Sequence, residues 1–159
     1  MKFLITAFVC FLVSLPSMAN EEINKVLDSF HLAAAEADGT TYFSLLAENS
    51  VFLGTDPTER WTKAQFKTFA EPYFSKGKGW KYVTRQRHVT ETNNPDIVFF
   101  DELLDNDSYG LCRGSGVVMK IDGRWQILQY NLSIPIPNDL SKVIVNTIES
   151  ASVSKQGVN

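Results

Sequence analysis

Cysteine, histidine and one-sided charge are all scarce in this chain, and each scarcity removes a class of protein. Of the two cysteines, Cys10 lies in the amino-terminal apolar run, which leaves Cys112 alone in the rest of the chain. No intramolecular disulfide can staple the fold there, so the core must hold by packing. The two histidines, His31 and His88, are far apart, and neither an H-x-x-x-H nor a C-x-x-C pattern occurs. The sequence therefore predicts no metal centre. Glycine-rich phosphate loops are missing as well, and no cofactor is expected. With 15 basic against 18 acidic side chains the net charge is −3, which gives no electrostatic footprint for nucleic acid. The one basic cluster, Arg85-Gln86-Arg87-His88 with Lys76, Lys78 and Lys81 upstream, is diluted by Glu91 and Asp96 and reads as a solvated strand face.

Long hydrophobic runs are absent except at the start. Lys2, the apolar stretch from Phe3 to Leu15 and the small-x-small site Ser17-Met18-Ala19 predict a signal peptide over residues 1–19, cleaved before Asn20. The protein is then exported, to the periplasm or the medium. The apolar stretch is too short, and too soon followed by Pro16, to span a membrane, so no membrane association is expected after cleavage. Losing Lys2 takes the net charge from −3 to −4. What remains suffices for one domain, residues 20–149, with Ser150 to Asn159 as a disordered tail.

Hydrophobic spacing then sets the order of elements. Ile23, Val26, Leu27, Phe30, Ala34 and Ala37 recur at helical spacing, with Gly39 as a stop. Thr40 or Thr41 caps a second short helix through Tyr42, Phe43, Leu45 and Leu46, ending near Asn49. Val51-Phe52-Leu53 reads as a short strand. Thr62-Lys63-Ala64-Gln65 has the form of a capping box and opens a third helix, which Pro72 should kink or end. Strands follow over Trp80–Thr90, Ile97–Leu104, Leu111–Ile121 and Arg124–Ser133, the last two joined by the hairpin signal Asp122-Gly123. Leu140, Val143, Ile144 and Ile148 suggest a short terminal helix.

The hairpin fixes a register in which Val118 faces Ile127, Gly116 faces Gln129 and Gly114 faces Asn131. Cys112, Gly114, Gly116, Trp125, Gln129 and Asn131 then share one face, and Leu111, Arg113, Ser115, Val117, Leu128 and Tyr130 the other. Neither face is plainly solvated. One should lie under the helices and the other against a second copy, so a homodimer through the sheet is expected. The two glycines leave space above the sheet beside Gln129 and Asn131, unless Trp125 fills it.

Between the Val51–Leu53 strand and the third helix, Gly54-Thr55-Asp56-Pro57-Thr58-Glu59-Arg60-Trp61 combines a turn, two carboxylates beside it, a guanidinium and an indole, a mixture suited to the rim of a pocket. That loop, Phe100-Asp101-Glu102-Leu103-Leu104, Arg113-Gly114-Ser115-Gly116-Val117, Asp122–Ile127 and Gln129–Asn138 resemble the SnoaL-like branch of the nuclear transport factor 2-like superfamily, over about Ile23 to Leu140. The resemblance implies an α+β cone, with about three amino-terminal helices on a curved antiparallel sheet enclosing a pocket, often in a dimer. It also implies a range of functions, from ketosteroid isomerases, polyketide cyclases and dehydratases to the non-catalytic association domain of calcium/calmodulin-dependent kinase II. Fold alone therefore predicts a pocket and no particular reaction. Related sequences often carry tyrosine-histidine where this chain has Tyr130-Asn131.

Two functional readings follow. In one, the pocket binds a small apolar or weakly polar molecule oriented by Asp56, Arg60, Asp101 and Asn131, with Trp61, Trp125 and Gln129 beside it. In the other, the domain is an isomerase, cyclase or dehydratase, with Asp101 as general base, His31 as acid or orienting group, and Trp61, Trp125 and Tyr130 shaping the cavity. Asp101 and Glu102 point to opposite faces of their strand, so only one enters the pocket, and the association-domain resemblance favours Asp101. That carboxylate is equally readable as a structural partner for Arg113 or Arg60. His31 either lines the pocket or is a satisfied histidine at the core edge.

Overall fold

The computed structural model describes residues 18–156; nearly all of the expected signal peptide lies outside them. Helix α1 (Met18–Glu36) is followed by α2 (Gly39–Ser44), strands β1 (Leu46–Leu53) and β2 (Arg60–Thr62), helix α3 (Lys63–Phe74) and strands β3 (Val83–Glu91), β4 (Ile97–Asn106), β5 (Gly110–Ile121) and β6 (Arg124–Ser133). A 3₁₀ turn at Asn138–Leu140 leads into α4 (Ser141–Gln156), so the last helix runs on through most of the segment expected as a tail. No helix among the described residues is long and apolar enough to cross a membrane.

The apolar stripe of α1 buries Ile23, Leu27, Phe30, Ala33 and Ala34 against the sheet, each large side chain contributing about 1.5–3 kcal/mol of hydrophobic stabilisation. The stop of α1 differs from expectation. Ala37 takes φ 57°, its N–H donates to the Ala34 carbonyl and that of Asp38 donates to Ala33, a Schellman closure made without glycine. Gly39 opens α2 instead, capped by the Asp38 carboxylate accepting from the Thr41 N–H at 3.0 Å. Leu46 to Asn49, expected as helix, is strand. The α3 capping box forms in both directions between Thr62 and Gln65, and Pro72 sits in the final turn without ending the helix.

The six strands run in the order β2-β1-β6-β5-β4-β3. β1 pairs parallel with β6, so the sheet is mixed, and the other pairings are antiparallel. Asp122 and Gly123 both have positive φ, the backbone that a two-residue hairpin of this kind requires. Two β-bulges decide which side chains face the helices. In β6 the register slips at Leu128: Val118 pairs with Ile127, but Gly116 pairs with Tyr130 and Gly114 with Leu132. In β3 it slips at Arg85, between the Thr84–Leu104 and Gln86–Leu103 pairs. Each extra residue reverses the parity beyond it. Tyr130 and Leu132 therefore turn into the core, Gln129 and Asn131 turn to the outer face, and Arg87 turns inward opposite Glu102.

Candidate functional site

Between the helices and the inner face of the sheet lies a cavity of about 200 Å³. Phe30 and Ala34 of α1 and Tyr42 of α2 form one wall, Phe52 and Phe66 another, and Trp80 and Tyr82 line it from the segment before β3. The rings support one another: Phe30 stacks on Tyr42 at 4.3 Å, and Phe52 stacks on Phe66 at 4.0 Å and on Tyr130 at 5.5 Å. Such contacts hold an aromatic wall in shape without a ligand.

The polar groups converge at the pole formed by His31 and Tyr130, both on the cavity wall. Behind them Glu102, 1% exposed, serves three partners. Its Oε1 lies 2.7 Å from His31 Nε2 and accepts from the Tyr130 hydroxyl at 3.0 Å, while Oε2 accepts from Arg87 Nε at 2.8 Å. Arg87 continues to Asp28 at 2.8 Å and to Asn24 on α1, so a buried guanidinium ties the sheet to the helix. Burial pushes the Glu102 carboxyl up, but the hydrogen bond and charge of His31, together with Arg87, outweigh it and hold the group below its usual range. Burial first, and then the Glu102 charge, hold the Tyr130 hydroxyl well above the ordinary tyrosine value. The result is an ionised carboxylate that holds an imidazole and a protonated phenol in place on the cavity wall.

Small residues make this packing fit. A Cβ on Gly114 would run into the Tyr130 hydroxyl and come within 2.9 Å of Glu102 Oε1. The space expected above this glycine exists, and Tyr130 with Glu102 fills it. At the mouth, Gly54 is likewise required because Glu59 passes over it. The Gly54 N–H donates to the Glu59 carbonyl at 2.9 Å, the Glu59 N–H to the Asp56 carbonyl at 2.9 Å, and the Asp56 N–H to Glu59 Oε2 at 3.2 Å.

Of the residues the sequence singles out, His31, Trp61 and Tyr130 line the cavity. Asp101 does not: it is exposed on the outer face, paired across β5 with Ser115 and across β3 with His88. Its neighbour Glu102 takes the inward place, which corrects the assignment of Asp101 as the cavity carboxylate. Gln129 and Asn131 face outward because of the Leu128 bulge, and Gln129 borders a shallow outer groove with Arg60 and Val117. Asp56 braces its own loop, accepting from the Thr58 N–H at 2.8 Å and hydroxyl at 2.6 Å. Trp125 is buried away from the cavity wall and donates from Nε1 to Glu22 at 2.9 Å. Glu102, Arg87 and Glu59 escaped sequence reasoning. The signal for Glu102 was present, a carboxylate inside an apolar strand of opposite parity to Asp101, but the side it faced was not legible. Arg87 was expected on a solvated face, yet its side chain is only 7% exposed.

A helix layer over one face of a curved mixed sheet, with a cavity between them, defines a nuclear transport factor 2-like α+β cone. The SnoaL-like domain profile matches residues 23–137, and the chain belongs to that family. A nuclear transport factor 2-like protein of unknown function from Pseudomonas putida superposes with TM-score 0.64 at 16% identity, over 76% of this chain and 89% of its own. A protein from Novosphingobium aromaticivorans provisionally designated a scytalone dehydratase gives 0.61 at 11% identity, over 74% and 85%. A provisional calcium/calmodulin-dependent protein kinase II association domain from Xanthomonas campestris gives 0.57 at 24% identity, over 79% and 94%. No curated protein matches the chain in sequence. These likenesses establish the fold and leave the reaction open.

Proposed function

We propose that this domain binds a small, largely apolar and ring-containing molecule, with a hydrogen-bonding group of the ligand directed to His31 and Tyr130. The observation that carries this reading is the open-mouthed aromatic cavity with His31 and Tyr130 on its wall: apolar walls supply affinity and a few convergent polar groups supply orientation. Toluene, phenol and indole are suitable probes, because Trp61 and Trp80 on the wall report occupancy by fluorescence. At least one probe is expected to saturate the protein, with Trp61→Ala weakening it by roughly tenfold, as the loss of a buried aromatic contact implies. Failure of all three to perturb either tryptophan, with the fold intact, would sink this reading.

A second reading, a proton-transfer enzyme of the isomerase or dehydratase kind, is favoured by one specific contact, the 2.7 Å pair of His31 with Glu102. Glu102 stands behind the cavity wall rather than on it, so it acts by orienting His31 as the proton-transferring group. The Tyr130 hydroxyl, whose one hydrogen goes to Glu102, offers a substrate only acceptor capacity. Incubating a panel of cyclic ketones with the protein in deuterium oxide tests this. Exchange at carbons beside the carbonyl is expected to fall by about 10²–10⁴ in His31→Gln, and a wild-type protein that catalyses no exchange removes the reading.

Export and pairing belong to the same proposal. The Lys2 to Ala19 pattern supports the first, and exposed Phe99 and Leu111 on the outer sheet face support the second. Cleavage before Asn20 and a dimer mass are expected for protein recovered from the periplasm or medium; an uncleaved monomer removes both.

A further inference from the structure

We propose that the ligand of this cavity is an organic cation, an apolar body bearing a quaternary or protonated amine held at the mouth by Glu59 and the surrounding ring faces; this rests on the binding reading above. Among the cavity-lining residues Glu59 is the one carboxylate, and neither lysine nor arginine lines the wall; the histidine there, His31, is paired with Glu102 behind it. The nearest buried guanidinium, Arg87, is consumed by Glu102 and Asp28, so it offers nothing to an anion. Glu59 is also held where it stands. Its backbone is bonded on both sides within the Gly54–Glu59 turn, and only the absence of a side chain at Gly54 lets it pass. The carboxylate keeps a single backbone donor, the Asp56 N–H at 3.2 Å, and so retains acceptor capacity for a ligand.

Rings that line the same cavity complete the recognition. Trp61, Phe69 and Tyr109 all line this cavity; Trp61 stacks on Phe69 at 4.9 Å, and Phe69 and Tyr109 are 42% and 51% exposed. Ring faces carry negative electrostatic potential and attract ammonium groups, most strongly at tryptophan. A fixed carboxylate among such faces favours a positive head group and repels a carboxylate or phosphate. The body of the ligand then extends along the apolar walls toward His31.

Three probes sharing a benzyl body separate the outcomes: benzyltrimethylammonium, its neutral isostere neopentylbenzene, and phenylacetate as the anion. Each is titrated into the full chain by calorimetry and tryptophan fluorescence, at low salt and in 0.5 M sodium chloride. Benzyltrimethylammonium is expected to bind measurably and phenylacetate not, and Glu59→Gln is expected to weaken the cation about fivefold while leaving neopentylbenzene unchanged. Should the variant fail to fold, selective weakening of the cation by salt in the wild type carries the same expectation. Binding of phenylacetate as tight as that of the cation, a cation affinity indifferent to both Glu59→Gln and salt, or saturation by neopentylbenzene alone overturns the cation proposal and leaves the binding reading standing. Silence from all three probes overturns the cation proposal, and the binding reading falls with it when toluene, phenol and indole are silent too.

Discussion

Glu102→Ala is expected to destabilise the fold by about 3–5 kcal/mol, the range seen when one partner of a buried ion pair is removed, whereas Asp101→Ala, one residue away, should leave the urea midpoint unchanged. The size follows from what Glu102 serves. Its side chain is 0% exposed and that of Arg87 is 7% exposed, so alanine leaves a guanidinium charge, the His31 ring and the Tyr130 hydroxyl without their shared acceptor. Asp28 remains for Arg87, but it is two-thirds exposed and cannot replace a buried carboxylate. The same group sets a pH window. In the fold Glu102 lies below its ordinary value of 4.5, so as pH falls the unfolded chain takes up its proton first. Stability from this group is fully present above about pH 4.5, and it is lost as pH falls through the folded-state value. Glu102→Gln, which keeps the shape but not the charge, should flatten that acid limb. A Glu102→Ala protein as stable as the wild type, or an acid limb unchanged in Glu102→Gln, would contradict the network.

The division between Asp101 and Glu102 also marks how far the sequence reaches. Alternation along β4 makes it legible that the two carboxylates face apart. Which one faces in depends on the strands around them, and there the parity is changed twice by bulges at Arg85 and Leu128. Neither bulge carries a glycine or proline to announce it, and ordinary residues occupy both. A strict two-residue period therefore put Gln129 and Asn131 on the cavity face and Tyr130 on the opposite one, at odds with the enzyme reading that had Tyr130 shaping the cavity. It also hid Arg87 within a basic run. Local chemistry was more faithful. The Thr62–Gln65 capping box, the Asp122-Gly123 hairpin, the limits of β6 and the apolar stripe of α1 depend on neighbours within a few residues, and each stands as the sequence implies. The Gly54–Trp61 loop was legible as a rim, although its cavity residues include Gly54, Thr55, Glu59 and Trp61 and neither Asp56 nor Arg60.

Gly79→Ala is the second substitution with a large expected effect, about 3 kcal/mol, even though Gly79 lies in an exposed connection that no motif distinguishes. A Cβ there would press on the Ala34 carbonyl oxygen and lie 2.9 Å from that of Ala35. Both are backbone atoms of the last turns of α1, so no side-chain rotation relieves the clash, and overpacking of this kind costs about 1–3 kcal/mol. The next residue adds to it. The Trp80 N–H donates to the Ala34 carbonyl at 3.1 Å, satisfying a helix-end carbonyl at a worth of about 1 kcal/mol. Pushing the chain off α1 breaks that bond and moves the indole, which packs on Phe74 at 4.7 Å and forms part of the cavity wall. Loss of stability should therefore come with a weakened probe affinity and a red-shifted tryptophan emission. Gly77→Ala is the control, since Gly77 has φ +65° with nothing near its missing Cβ. It should lose only about 1 kcal/mol from the left-handed backbone and keep the cavity. If Gly79→Ala behaves like Gly77→Ala, in stability and in probe binding alike, then the segment before β3 yields freely, and the close approach to α1 is not what seats Trp80 in the wall.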